Sequence, residues 1–205
     1  MKLHPIILYS FCLFMGISIR SYSQNDPFTS HLYFPAAIGI NLPFGNSESN
    51  LSRGIMITTA LEYRPKEGDH VFYRFTYDAI GNNYSNVLIP TPTNVNSGHF
   101  SESFFSLGSG YRKVLGPIRV FGLIQPGIAT NSYEKVIIDE SAIGVGHVKE
   151  QYFGVKASLG AEYYLAEHFA LTFEPSYFYL AEGKSFRLPN PQSVNFSVGF
   201  TMTLF

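Results

Sequence analysis

A strict alternation of apolar and polar residues constrains this chain more than any other feature. Residues 194–204 show it most clearly, because every second residue is apolar and those between are small or polar. The apolar series is Val194, Phe196, Val198, Phe200, Met202 and Leu204. Successive side chains of a β-strand point to opposite faces of the sheet. The segment is therefore predicted to be a strand with one apolar and one polar face.

The same alternation recurs along the chain in stretches of about ten residues, the length of a strand that crosses a membrane. Four further segments show it clearly: 55–63, 71–79, 153–163 and 169–179. Three weaker candidates are 32–42, 99–112 and 118–130. In these weaker segments Phe104, Phe121 and Leu123 would have to lie on the polar face. The pattern predicts eight strands in all.

Composition indicates what the apolar face meets. The chain has 19 Phe and 14 Tyr but no Trp, and only 14% of its residues are charged. A surface that faces water normally carries more charge. No run of 18 apolar residues follows residue 23, so a helical membrane span is not predicted. We therefore expect a barrel with its apolar face towards lipid and its polar face towards the lumen.

A soluble carrier barrel, of the lipocalin kind, is the alternative with the same alternation. Its apolar face would turn inward to hold a ligand. Five charged residues argue against it, because all lie on the face opposite the aliphatic residues: Glu62, Arg74, Lys156, Glu162 and Glu174. A carrier would therefore expose Phe and Leu side chains to water.

Residues 1–23 are predicted to be a signal peptide. Lys2 precedes an apolar run of 15 residues from Pro5 to Ile19, and small residues follow at Ser21 and Ser23. A spanning helix needs about 20 residues, so an uncleaved anchor is the weaker alternative. The only cysteine of the chain, Cys12, falls inside this run, so no disulfide is expected.

Residues 24–205 are predicted to form one barrel domain of 182 residues. Removing Lys2 and Arg20 from the 14 basic residues leaves 12 against 15 acidic ones, a net charge of −3. This balance does not indicate a nucleic-acid partner.

The predicted links between strands alternate in length. Short links are expected at 66–70, 113–117 and 166–168, and long ones at 43–53, 81–98, 131–149 and 182–191. Outer-membrane barrels have short periplasmic turns and longer extracellular loops. The alternation therefore predicts an all-β, eight-stranded, antiparallel up-and-down transmembrane β-barrel with both termini in the periplasm.

The stretch "GVKASLGAEYYLAEHFALTFEPSYFY" and the terminal "VNFSVGFTMTLF" resemble the last three strands of the OmpA-like and OmpX-like barrels. Within this group, the two stretches look like the version common among the outer-membrane β-barrel domain proteins of Bacteroidetes. This resemblance implies an outer-membrane location in a Gram-negative bacterium, with membrane lipids around the barrel and insertion by the barrel-assembly machinery. It implies little about activity, because this fold hosts porin-like pores and many other functions.

Charged residues on the inner face are predicted to form a network. If strands 55–63 and 71–79 pair around the first short link, Glu62 lies opposite Arg74, and the opposite charges attract. Around the second short link Arg112 and Arg119 would face each other, with Glu162 close by. The predicted interior set is Glu62, Arg74, Arg112, Arg119, Lys156, Glu162 and Glu174.

This network has two interpretations, an ion path through the lumen or a plug that fills it. Eight strands leave an interior just wide enough for side chains, which favours the plug. Glu162 and Glu174 would lie diagonally on neighbouring strands instead of flanking a cleft, so an acid-base pair is not predicted.

No catalytic or metal site is predicted. His99 and His147 have Ser101, Ser103 and Glu150 near them in sequence, but no spacing joins a nucleophile to its base. His31, His70 and His168 lie at separate strand ends, so they predict no metal site and no cofactor.

The sequence therefore favours a non-enzymatic surface or structural protein whose long loops make its contacts. A narrow pore for ions or very small solutes is the first alternative, and an enzyme that modifies outer-leaflet lipids is the second. The partner of the loops, the oligomeric state and the physiological role are left open.

Overall fold

A computed structural model describes residues 31–44, 51–65, 70–85, 97–139, 142–181 and 192–204. The predicted signal peptide, residues 1–23, lies outside the described residues. The described residues form eight strands: β1 Leu32–Phe44, β2 Gly54–Tyr63, β3 Val71–Ser85, β4 Ser97–Leu115, β5 Ile118–Asp139, β6 Ala142–Ala166, β7 Phe169–Leu180 and β8 Gln192–Thr203.

The strands close into a barrel in sequence order, and every neighbouring pair is antiparallel. β8 pairs with β1 from Tyr33–Thr203 to Phe44–Gln192, so the last strand has no free edge. The predicted eight-stranded antiparallel barrel is confirmed. The three strands with the weakest alternation are present and are longer than their sequence patterns indicated.

We call the end of the barrel that carries the β2–β3, β4–β5 and β6–β7 links the turn end. The opposite end, where β1 leads to β2, β3 to β4, β5 to β6 and β7 to β8, is the loop end. Leu32 and Leu204 lie at the turn end, where the amide of Leu204 donates a hydrogen bond to the carbonyl of Leu32.

The apolar face of each strand points outward. Ile38, Ile57, Leu107, Leu159 and Val198 are each more than half exposed. Outward tyrosines mark the turn end on four strands: Tyr63, Tyr73, Tyr111 and Tyr163. Such a surface suits a membrane with aromatic residues at the lipid headgroups. Among the described residues, none belongs to a helix with the length and hydropathy that a helical membrane span requires.

The long link predicted at 131–149 is wrong. β5 continues to Asp139 and β6 begins at Ala142, and the two remain paired in register from Ile118–Tyr163 to Asp139–Ala142. The β-branched run Val136–Ile138 has high strand propensity, which favours continued pairing over an irregular loop. We call the paired residues 131–139 of β5 and 142–149 of β6 the β5–β6 ribbon. The outward-facing residues of β5 become polar at Thr130, Ser132 and Glu134, so the ribbon extends beyond the apolar surface of the barrel.

The predicted pairing of Arg112 with Arg119 is also wrong. The β4–β5 turn contains only Gly116 and Pro117, and Leu115 pairs with Ile118. Gly116 adopts a positive φ of 63°, which a tight hairpin requires and which glycine accepts at little cost. This tighter turn shifts the register by two residues, so Arg112 lies opposite Phe121.

Candidate functional site in the barrel lumen

An ion-pair network fills the turn-end half of the lumen, and Glu62 is at its centre. Glu62 pairs with Arg74 across the β2–β3 hairpin, as the sequence predicted, with 2.6 Å between Arg74 Nη2 and Glu62 Oε2. Arg64 Nε lies 2.5 Å from the other carboxylate oxygen. All three side chains are buried. Each glutamate oxygen therefore has a guanidinium donor, which offsets the cost of burying the charge.

The network continues around the wall to β6 and β7. Arg64 Nη2 lies 3.1 Å from Glu162 Oε1, and Arg112 Nη1 lies 3.4 Å from Glu162 Oε2. On the other side, Arg74 Nη1 lies 2.8 Å from Glu174 Oε2. Arg74 on β3 therefore binds Glu62 on the neighbouring strand β2 and reaches across the lumen to Glu174 on β7, the strand opposite β3 in the closed barrel.

Lys156 extends the network towards the middle of the barrel. Its Nζ lies 3.0 Å from both carboxylate oxygens of Asp78 and 3.7 Å from Glu174 Oε1. Thr58 Oγ1 donates to Asp78 at 2.6 Å. A continuous series of ion pairs therefore runs from Arg112 to Asp78, with four acids and four bases in balance.

The structure brings together six of the seven residues predicted for the interior network. Arg119 is the exception, because its guanidinium lies over the ring of Tyr164, 3.9 Å from the centroid. Sequence reasoning missed Arg64 and Asp78. Both could have been found by parity, since Arg64 is two residues beyond Glu62 and Asp78 is four beyond Arg74 on the same inward faces.

Apolar side chains fill the lumen between this network and the loop end. They form one cluster of buried residues, which we call the apolar layer: Met56, Ile80, Phe104, Ala129, Tyr152, Phe178 and Leu180. The rings of Phe104 and Phe178 meet edge to face with centroids 5.4 Å apart. The predicted inward orientation of Phe104 is therefore confirmed. The apolar layer therefore lies between the ion pairs and the polar groups at the loop end.

A second apolar cluster packs against the charges at the turn end. Phe72 and Phe121 meet edge to face at 5.9 Å, and Leu123 lies beside them. Gly110 and Gly160 make room for these rings, because a Cβ at either position would lie 2.3 Å or 2.2 Å from a phenylalanine ring atom. The guanidinium of Arg74 lies over Phe121, 4.8 Å from the ring centroid.

Polar groups return at the loop end of the lumen. Asn41 Nδ2 donates to Asn195 Oδ1 at 2.7 Å, and Asn82 Nδ2 donates to Asn41 Oδ1 at 2.8 Å. Glu102 is buried beside them on β4. Both amide atoms of Asn131, which pairs with Glu102 on β5, have no hydrogen-bond partner among the described residues.

The β5–β6 ribbon carries a serine-histidine contact that the sequence did not predict. Ser132 Oγ contacts His147 Nε2, and Glu134 lies directly opposite His147 in the register. These side chains are solvent-accessible on the outer face of the ribbon. His99, the other histidine considered, contacts Asn83 Oδ1 at 3.2 Å instead. On the inner face of the ribbon, burial and the charge of Glu150 raise the pKa of Tyr133 to about 12.

Three histidines at the turn end contact polar groups at the ends of neighbouring strands. His31 Nδ1 lies 2.9 Å from the carbonyl of Arg64, and His70 Nδ1 lies 2.8 Å from the carbonyl of Arg112. His168 Nδ1 lies 2.9 Å from Thr203 Oγ1. In the part of the chain that the structure describes, no three His, Cys, Asp or Glu residues are grouped as metal ligands.

Comparison with known proteins identifies the fold. No family model and no curated protein matches the sequence. Neisserial surface protein A, NspA, superposes with a TM-score of 0.56 at 13% identity, covering 86% of this chain and 99% of that chain. The outer membrane protein OprG of Pseudomonas aeruginosa gives 0.54 at 11% identity, covering 86% and 96%. The chain has the eight-stranded barrel fold of outer-membrane proteins.

Proposed function

We propose that this protein is an integral outer-membrane barrel of a Gram-negative bacterium, of the Bacteroidetes type, with a closed lumen and no enzymatic activity. Both termini lie in the periplasm, and the loop end makes the surface contacts. The apolar outer face supports residence in a membrane, since Leu159 and Val198 would otherwise expose most of their surface to water. The barrel-assembly machinery would insert the chain.

The main support for a closed lumen is that two different layers of side chains fill it, the ion-pair network and the apolar layer. The ion pairs around Glu62 neutralise each other, so they offer no net charge to attract a permeating ion. The apolar layer then opposes hydrated ions through Phe104 and Phe178, each at most 1% exposed. An ion that crosses would lose its hydration at this layer, which is costly in an apolar environment.

Single-channel recording tests the closed lumen against the narrow-pore alternative. Purified barrel in planar bilayers should show no discrete conductance steps. A variant with Phe104→Ser and Phe178→Ser should also stay closed, because the Lys156–Asp78 pair lies beneath the apolar layer. Open-channel steps from the wild-type protein would establish the pore and refute the closed lumen.

Site-directed labelling tests the location and orientation. In a Cys12→Ser background the chain has no thiol. Glu134→Cys then places one at the loop end and Glu167→Cys places one at the turn end, and both positions are exposed. A membrane-impermeant maleimide applied to intact cells should label position 134 and spare position 167. Labelling of position 167 alone would reverse the topology, and recovery in the soluble periplasm would exclude a membrane protein.

An enzyme of outer-leaflet lipids remains the second candidate because of the ribbon's serine-histidine contact. His147 is positioned to accept the proton of Ser132, and Glu134 is the nearest acid in the register. Mass spectra of lipid A distinguish the candidates. They are compared between cells that carry the wild-type protein, Ser132→Ala or the control Ser101→Ala. We expect identical acyl patterns. A pattern that changes only with Ser132→Ala would establish the enzyme.

A further inference from the structure

The outer surface of the barrel changes from apolar to polar along a boundary at the loop end. On β5 and β6 the last apolar pair is Ile128 and Phe153, which are 55% and 59% exposed. Lys149 is also exposed and lies four residues beyond Phe153 on the same face of β6. At about 3.4 Å per residue and a strand tilt of about 45°, its Cα lies roughly 10 Å beyond the apolar surface. Because lysine has a long flexible stem, its ammonium reaches back to the lipid headgroups.

Polar neighbours surround Lys149, and no carboxylate neutralises it. Ser132 lies directly opposite Lys149 in the register, and the Ser132 hydroxyl contacts His147 Nε2. Glu134 is an outward acid on the same ribbon, but it pairs with His147, one step farther from the apolar surface. Among the described residues Lys149 forms no ion pair. Its ammonium is therefore available to an anion.

Arg53 is a second exposed cation beside the same boundary, on the β2 side of the wall. It lies two residues beyond Ile55, which is 61% exposed. The amide and the hydroxyl of Ser52 each donate to the carbonyl of Asn83 at 2.8 Å, which holds this segment against β3. Within the part of the chain that the structure describes, Arg53 forms no ion pair either. Two cations therefore lie just beyond the apolar surface without a carboxylate partner among those residues.

Phosphate groups are the anions that a lipid bilayer places between its acyl chains and water. Their oxygens accept charge-assisted hydrogen bonds from ammonium and guanidinium groups, and arginine can donate two such bonds at once. Each lysine or arginine near an anionic membrane surface strengthens binding by about fivefold. Lys149 on β6 and Arg53 beside β2 are four strands apart in the barrel, or about 19 Å at 4.8 Å per strand. Each cation therefore meets a separate phosphate group.

We propose that Lys149 and Arg53 are two binding sites for the phosphate groups of outer-leaflet lipid headgroups. The inference rests on the proposed outer-membrane location. A lipid headgroup is the source of the phosphate, because both cations are exposed at the edge of the apolar surface, where a bilayer concentrates its phosphates. The bound headgroups would fix the height of the barrel in the membrane and order the lipids beside the β5–β6 ribbon.

Native mass spectrometry of the purified protein in detergent micelles tests these sites, because it counts the molecules of diphosphoryl lipid A that stay bound. Lys149→Gln and Arg53→Gln should each weaken lipid A binding by about fivefold, and the double variant by about 25-fold. Lys113→Gln is the matched control. Lys113 is an exposed lysine at the turn end, and its cross-strand neighbour is the apolar Val120. This variant should bind lipid A as the wild type does.

The wild-type protein supplies a second measurement that needs no variant. It should bind dephosphorylated lipid A much more weakly than the diphosphoryl form, and millimolar inorganic phosphate should not displace the lipid. Equal binding of the two lipid forms would overturn the proposal, as would an equal loss of binding in Lys113→Gln. Displacement by inorganic phosphate would assign the sites to the free anion and overturn the lipid as their ligand. Heat-modifiable migration on gels confirms that each variant is folded, and the maleimide labelling measures the membrane location independently.

Discussion

Arg74→Met should be among the most destabilising single substitutions in this barrel. The guanidinium of Arg74 donates to Glu62 Oε2 at 2.6 and 2.8 Å and to Glu174 Oε2 at 2.8 Å. Each close pair is worth about 4 kcal/mol at an effective dielectric constant near 20. Because the penalty of burying the arginine disappears as well, we expect a net loss of about 3–5 kcal/mol in the free energy of unfolding.

A charge-balanced variant separates the ion pairs from simple loss of packing. Arg74→Met leaves Glu174 with Lys156, at 3.7 Å, as its remaining cation. Adding Glu174→Gln removes the excess negative charge, so the double variant should recover about 1–3 kcal/mol relative to the sum of the single changes. Lys113→Met, at an exposed outward lysine, is the control and should change stability by less than about 0.5 kcal/mol.

These differences are measured by urea unfolding of the refolded barrel in lipid vesicles. Gel migration and tyrosine fluorescence report the unfolding. A loss below about 1 kcal/mol for Arg74→Met would match an exposed, hydrated ion pair. That result would mean that water reaches the network, and it would refute the closed lumen from which the magnitude was derived.

Three further predictions concern single positions, each measured by the same urea unfolding. Phe104→Ala should cost about 3–5 kcal/mol through the cavity it leaves in the apolar layer, and a smaller cost would mean that the layer is loosely packed. Gly160→Ala should destabilise the barrel, because its Cβ would lie 2.2 Å from the Phe121 ring, whereas Gly144→Ala, with nothing within 4 Å, should not; equal effects would contradict the close approach. Asn131→Leu should be neutral or stabilising by about 1 kcal/mol, because both buried amide atoms have no partner among the described residues; a large loss would reveal a partner.

The sequence by itself determined the architecture of this protein. Strict alternation assigned the outward residues such as Phe196 and Val198, and together with the short β2–β3 link it placed Glu62 opposite Arg74. It could do so because a strand has a side-chain period of two, and a short hairpin fixes which residues face each other. The inward position of Phe104 also follows from parity alone.

Only the tertiary structure decided how the lumen is filled and where the strands end. The register around Gly116 replaced the predicted Arg112–Arg119 contact, because a two-residue turn and a longer link give pairings that differ by two residues. Arg64 reaches Glu162 although the two are 98 residues apart in sequence. Parity states that a side chain points inward, but its neighbours across the barrel depend on closure and strand stagger. That is why the ion pairs and the apolar layer follow only from the closed barrel.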